Sequence, residues 1–164
     1  VRSLGWLPEA ILPPDVLRVK SLRDGNAKMS KSDPSDQSRI NLTDSEADIR
    51  NKVKRARTDP EPLPLDAKGL EGRPEARNLV EIMAVLSGRT VAEVLREFGG
   101  QGFGIFKPAL ADLLVERLAP LNERYRALLA RPERIEQALD AGADAARAVA
   151  RETMREVRDA VGFL

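Results

Sequence analysis

The spacing of apolar residues divides the chain into an opening stretch of broken, extended character and a long helical remainder. In residues 1–41 short apolar pieces are interrupted by Pro8, Pro13, Pro14, Gly25 and Pro34. Residues 16–22 alternate apolar with basic side chains, which predicts a short strand followed by a loop. From residue 42 the period becomes helical. Thr43 and Glu46 have the spacing of a capping box, and Ala47, Ile49, Val53 and Ala56 give the helix behind it a thin apolar stripe. Residues 58–74 hold four prolines and two glycines, which deny the backbone a continuous ladder and predict a long ordered loop.

Five further helical segments follow. Leu79, Val80, Ile82, Met83 and Leu86 mark a helix stopped at Ser87-Gly88. Thr90 with Glu93 forms a second capping box, opening a short helix buried through Val91, Val94, Leu95 and Phe98. Gly99, Gly100, Gly102 and Gly104 predict a tight turn in which positive φ is available at four positions. Leu110, Leu113, Leu114, Leu118, Leu121, Tyr125, Leu128 and Leu129 then trace one face of a long helix containing Pro120. A short helix at 135–139 and a final one capped by Asp144, with Ala146, Val149, Thr153, Val157 and Val161 at helical spacing, complete the chain. The fold class expected is mainly α, a helical bundle.

Composition removes several chemistries. The 164 residues contain no Cys and no His, which excludes from this sequence disulfides, thiolate or imidazole metal sites, cysteine nucleophiles and Ser-His-Asp arrangements. No apolar run approaches the roughly 20 residues of a membrane span, so no membrane partner is expected. The chain starts at Val1 in what reads as mid-domain sequence, and a fragment of a longer protein is expected. Trp6 is expected to be packed.

Charge is balanced overall, 27 Lys plus Arg against 26 Asp plus Glu, but unevenly placed. Residues 20–57 carry ten basic and six acidic side chains, and within residues 50–57 Arg50, Lys52, Lys54, Arg55 and Arg57 face no acid. On the last turns of a helix these cations either complement the helix dipole on a solvated face or track the phosphates of a nucleic acid, and spacing alone does not choose. Phe103 and Phe106 are expected to anchor their turn in the core rather than stack on bases. Lys107 is expected to have a phosphate or a side chain as partner.

A more specific signal is Lys28-Met29-Ser30-Lys31-Ser32, entered through Gly25-Asn26 and left through Asp33-Pro34. Two ammonium groups three residues apart, interleaved with hydroxyls on a turn, are suited to a polyphosphate. A phosphoryl-transfer step that expels pyrophosphate needs charge stabilised on the departing oxygens more than covalent help. The pentapeptide resembles the KMSKS signature of class I aminoacyl-tRNA synthetases. Val19-Lys20-Ser21-Leu22, Asp33-Pro34, Arg57-Thr58-Asp59-Pro60, Gly102-Phe103-Gly104-Ile105-Phe106-Lys107 and Glu123-Arg124-Tyr125 extend the likeness across essentially the whole chain, to the C-terminal half of bacterial-type tryptophanyl-tRNA synthetases.

The resemblance implies an enzyme family that forms tryptophanyl-adenylate from tryptophan and Mg2+-ATP and transfers the amino acid to tRNA(Trp), works in the cytoplasm as a homodimer and has no protein-held metal. It implies a domain division in which residues 1–41 end a Rossmann catalytic domain with its KMSKS loop and residues 42–164 form a helical anticodon- and tRNA-binding domain. Lys28 and Lys31 are then the catalytic cations on the ATP phosphates, with Lys31 the transition-state contact. Ser30 and Ser32 bond phosphate or the loop, Met29 packs as a latch between domains, and Val19 lies beside the adenine. Arg50, Lys52, Lys54, Arg55 and Arg57 are the tRNA-binding candidates. The family's HIGH-type motif and amino-acid pocket are not in this sequence, so the isolated chain is expected to make no adenylate, tryptophan binding being left to the missing half. A non-catalytic helical RNA-binding module and a tyrosyl-type relative remain the alternatives.

Overall fold

The computed structural model describes residues 18–162; Trp6 and the first part of the predicted strand lie outside them. Five α-helices follow in order: α1 Glu46–Arg55, α2 Pro74–Ser87, α3 Val91–Phe98, α4 Phe103–Leu129 and α5 Pro132–Val161, with 3-10 turns at Asp36–Ser38 and Ala67–Leu70. The chain divides into two compact units, one through Pro120 and one from Leu121. The mainly α class is borne out. In place of the predicted strand, the described residues show one isolated antiparallel bridge, between Lys20 and Lys28.

The first unit has one apolar core. Val53, Val80, Val94 and Phe106 are completely buried within it, joined by Leu63, Leu79, Leu95 and Leu110. Phe98 meets Phe106 edge-on at 5.2 Å between ring centroids, so the core reading of Phe106 holds. Of the Leu-rich face of α4, Leu110 and Leu114 are buried here and Leu113 and Leu118 half-buried, whereas Leu121, Leu128 and Leu129 in the second unit are exposed. No residue of α5 is buried.

Local chemistry sets most boundaries. Arg73 precedes α2, Pro74 occupies its first turn, and Gly88 ends it in the left-handed region at φ 69°. The Thr90–Glu93 capping box of α3 forms as predicted. The first capping box does not: α1 is capped by Ser45 with Asp48, each bonding the other's backbone N–H. Thr43 is displaced because residues 41–44 close a turn of their own, with the Asn41 N–H donating to Asp44 Oδ2 at 2.8 Å and the Asp44 N–H to the Asn41 carbonyl at 3.1 Å. Ala47 is consequently exposed.

Two other expectations are corrected. Of the four glycines at 99–104 only Gly100 has positive φ, at 77°, because α4 begins at Phe103 and takes Gly104 into its first turn. Asp144 caps nothing: α5 is continuous from Pro132, and Asp144 instead accepts from Arg147 Nη1 at 2.9 Å, three residues on. The alanine-rich run around it propagates helix without a break.

Candidate functional site

The Lys28–Ser32 turn is held from beneath by backbone and by α2. The Met29 N–H donates to the Val19 carbonyl at 3.1 Å and the Ser21 N–H to that of Ala27 at 2.9 Å, which folds residues 19–29 back on themselves. Asn78, on α2 and 2% exposed, grips the near segment: its Oδ1 accepts from the Lys20 N–H at 2.9 Å and its Nδ2 donates to the carbonyls of Lys20 and Ser21 at 3.0 and 3.3 Å. Gly25 lies so close to α2 that a Cβ would stand 2.3 Å from the Pro74 carbonyl carbon, a glycine required by contact.

Past the turn, the Asp33 N–H bonds the Ser30 carbonyl, the Ser32 N–H bonds Ser30 Oγ at 3.3 Å, and Arg39 Nη1 donates to the Asp33 carbonyl at 2.9 Å. Lys28, Lys31 and Ser32 are exposed. Among the described residues neither Lys28 nor Lys31 has an ion pair, so two cations stand uncommitted on an anchored turn. Met29 points the other way. It packs against the core and, with Val19, Ile40, Ile82 and Leu114, lines an apolar cavity of about 180 Å3.

The basic run at 50–57 separates into different roles. Lys52 is turned inward, 3% exposed, with Nζ 2.7 Å from Asp36 and 2.6 Å from Asp44. Burial alone would lower its pKa, but hydrogen bonds to Asp36 and Asp44 outweigh that and the pKa is raised. Asp36 is held below the usual carboxylate range, first by the hydrogen bond from Lys52 and then by that from Asn41. Lys52 therefore ties α1 to the segment that follows the lysine turn and is withdrawn from the surface where the sequence placed it. Arg50 pairs with Asp112 of α4, Arg57 approaches Glu75 at 3.5 Å, and Lys54 and Arg55 are exposed.

Among the described residues Lys107 has backbone partners in place of the expected side chain. Its Nζ donates to the carbonyls of Ala56 at 2.8 Å and Lys54 at 3.4 Å, capping the end of α1, and sits 5.7 Å from the Phe103 ring centroid. Burial lowers its pKa. Between α1 and the start of α4 lies an open cavity of about 540 Å3, lined by Arg50, Lys54 and Lys107 together with Phe103 and Gly104.

The model of the family described as tRNA synthetases class I (W and Y) matches residues 5–119 of this chain. The chain belongs to that synthetase family. A tryptophan–tRNA ligase of Caulobacter vibrioides is 57% identical over 157 residues, covering 96% of this chain and 46% of that protein. The chloroplastic/mitochondrial tryptophan–tRNA ligase of Arabidopsis thaliana is 44% identical, covering 98% of this chain and 39% of its own length. Among solved structures, the tryptophanyl-tRNA synthetase of Mycoplasma pneumoniae superposes with a TM-score of 0.75 at 26% identity, over 92% of this chain and 45% of that one. The Campylobacter jejuni synthetase complexed with ADP and tryptophan gives 0.66 at 29%, over 95% and 47%. The chain thus spans about half the length of the relatives it matches.

The arrangement sets two exposed ammonium groups on a turn whose base is hydrogen-bonded to Asn78 and Arg39. The sequence displays the charges but not the base. Asn78 sits among apolar helix residues and Gly25 among loop residues, and neither has a spacing that marks it. Arg73 was equally silent: it clasps Asp59 with two bonds, Nε to Oδ2 at 3.0 Å and Nη2 to Oδ1 at 2.6 Å, and donates to the carbonyls of Pro62 and Glu61, fastening the proline-rich loop to the start of α2.

Proposed function

We propose that this chain supplies the KMSKS turn and the tRNA-contacting helices of a tryptophan–tRNA ligase. In this reading residues 1–41 close a nucleotide-binding domain and residues 42–164 form the helical domain. The enzyme works as a cytoplasmic homodimer on tryptophan, ATP with its Mg2+, and tRNA(Trp). The observation that carries it is the pair of ammonium groups, Lys28 and Lys31, that have no ion pair among the described residues, on a turn pinned by Asn78 and Arg39, in a chain of the synthetase family.

The tryptophan carboxylate attacks the α-phosphorus of ATP, a new O–P bond forms, and the bond to the bridging oxygen of pyrophosphate breaks. Negative charge grows on the departing oxygens. Lys28 holds the phosphates in the ground state, while Lys31 strengthens its contact as that charge develops, which is what lowers the barrier. Ser30 and Ser32 donate to phosphate oxygens or brace the turn, Met29 latches it to the apolar surface beneath, and Val19 lies at the adenine. The tRNA phosphates meet Arg50, Lys54, Arg55 and Arg57; Lys52 is excluded because it is buried with Asp36 and Asp44.

Competitive acylation of lysines in an enzyme of the relatives' full length that contains this sequence tests the reading. Mg2+-ATP is expected to slow modification of Lys28 and Lys31 at least about fivefold while leaving Lys68 unchanged. Equal reactivity with and without the nucleotide counts against it.

A further inference from the structure

The two lysines of the turn are held by different parts of the chain. Lys28 stands on the folded-back base: it partners Lys20 in the isolated bridge, and the next residue, Met29, donates its N–H to the Val19 carbonyl. Lys31 lies beyond that base. From Ser30 to Ser35 the chain bonds chiefly to itself, through the Asp33 N–H to the Ser30 carbonyl, the Ser32 N–H to Ser30 Oγ and the Ser35 N–H to Asp33 Oδ1 at 2.7 Å. Such bonds fix the shape of the stretch but not its place on the molecule.

Its place is set from the exit side. Ser38, which is buried, donates to the Ser35 carbonyl through both its N–H and its Oγ. Arg39, half-buried, reaches further toward Lys31: its Nη1 donates to the carbonyls of Asp33 at 2.9 Å and Ser35 at 3.4 Å. The other donors of the guanidinium hold its plane. Nη2 pairs with Asp36 Oδ1 at 3.1 Å and Nε donates to Asn41 Oδ1 at 3.0 Å. Both of these partners are fixed in turn, because Asn41 Nδ2 donates to Asp36 Oδ1 at 2.8 Å and Lys52 Nζ, from α1, stands 2.7 Å from Asp36 Oδ2. An arginine serving a single exposed carboxylate contributes little. Here one planar fork is braced on two side chains and aims its remaining donor at the backbone two residues from Lys31.

We propose that Arg39 is a positioning residue for adenylate formation, setting where Lys31 stands while Lys28 is left to the base at Val19. The inference rests on the reading of Lys31 as the contact to departing pyrophosphate, and it adds a residue that itself touches no phosphate. The carbonyl that Arg39 grips is two residues after Lys31 and five after Lys28, which is the source of the selectivity. Lys31 acts as charge develops on the departing oxygens, so loss of the collar appears in the rate of the chemical step and not in ground-state binding of ATP.

The test is a double-mutant cycle on single-turnover adenylate formation, in an enzyme of the relatives' full length that contains this sequence, with a thermal melt of every variant. Arg39→Ala is expected to slow the step about tenfold, while the ATP concentration that gives half the maximal rate stays within about twofold. In a Lys31→Ala background the same substitution is expected to slow it less than about twofold, since the group it positions is gone. In a Lys28→Ala background the loss of about tenfold is expected to remain. Arg39→Lys keeps a donor for one carbonyl but not the fork that Asp36 and Asn41 brace, and is expected to recover at least part of the rate. It replaces Arg39→Ala in the cycle if that variant melts below the assay temperature. A purely structural role would lower the melting temperature and slow all three backgrounds alike, which overturns the proposal. Weakened ATP binding at an unchanged rate overturns it too. If Lys31→Ala slows the step but shows no coupling to Arg39, this inference alone falls; if Lys31→Ala leaves the rate unaltered, the reading of the lysine turn falls with it.

Discussion

Lys52 shows most clearly how charge in a sequence differs from charge in a structure. Five cations in eight residues describe either a solvated face matched to the helix dipole or a surface for nucleic acid, and one of them is instead the buried partner of Asp36 and Asp44. Removing it leaves Asp44, 8% exposed, without its cation, so Lys52→Ala is expected to cost about 3 kcal/mol in urea unfolding. The pH dependence follows from the two shifted groups. Asp36 has a folded pKa below its ordinary 3.8, so its contribution is complete above that value and is lost as pH falls through the lowered one. Lys52 has a folded pKa above 10.5, so its contribution is complete below that value and is lost as pH rises through the raised one. The stability gap between wild type and Lys52→Ala should therefore be widest across the interval between the two ordinary values and narrow beyond either end; a gap that stays constant into strong acid disproves the pairing. Asn78 makes a parallel case. Asn78→Ala strands the Lys20 N–H and carbonyl in a partly buried setting and the Ser21 carbonyl in a buried one, for which about 2 kcal/mol is expected. Hydrogen exchange at the Lys20 amide should accelerate while the α2 amides keep their protection.

At the level of elements, what the sequence made legible was decided by local chemistry. The stop of α2 at Gly88 and the Thr90–Glu93 box of α3 could be read directly, because each depends on residues within one turn. The start of α1 could not, since two overlapping candidates, Thr43 with Glu46 and Ser45 with Asp48, satisfy the same spacing and the turn at 41–44 chooses between them. Mutation distinguishes them: Ser45→Ala and Thr90→Ala should each cost about 1 kcal/mol and Thr43→Ala less than about 0.5. A larger loss at Thr43 than at Ser45 refutes the observed cap. The break near Asp144 was misread for the opposite reason, a good capping residue embedded in a stretch whose neighbours all favour helix. In the candidate site the lysine turn was visible because its five consecutive residues are themselves the motif. Its foundation was not, because Asn78 and Gly25 act through partners some fifty residues distant in sequence.

On the scale of the whole molecule, the first unit carries both the lysine turn and the cationic cavity, and its core reaches from Leu22 to Val115. The turn is anchored to that core through α2 by Asn78, and the following segment through α1 by Lys52. Loss of either anchor is therefore expected to disturb the turn without removing a cation. The central claim is that Lys31 stabilises departing pyrophosphate. The most direct measurement is the single-turnover rate of adenylate formation by Lys31→Ala, in an enzyme of the relatives' full length that contains this sequence. The account predicts a rate about a hundredfold slower with tryptophan affinity nearly unchanged. An unaltered rate would contradict it.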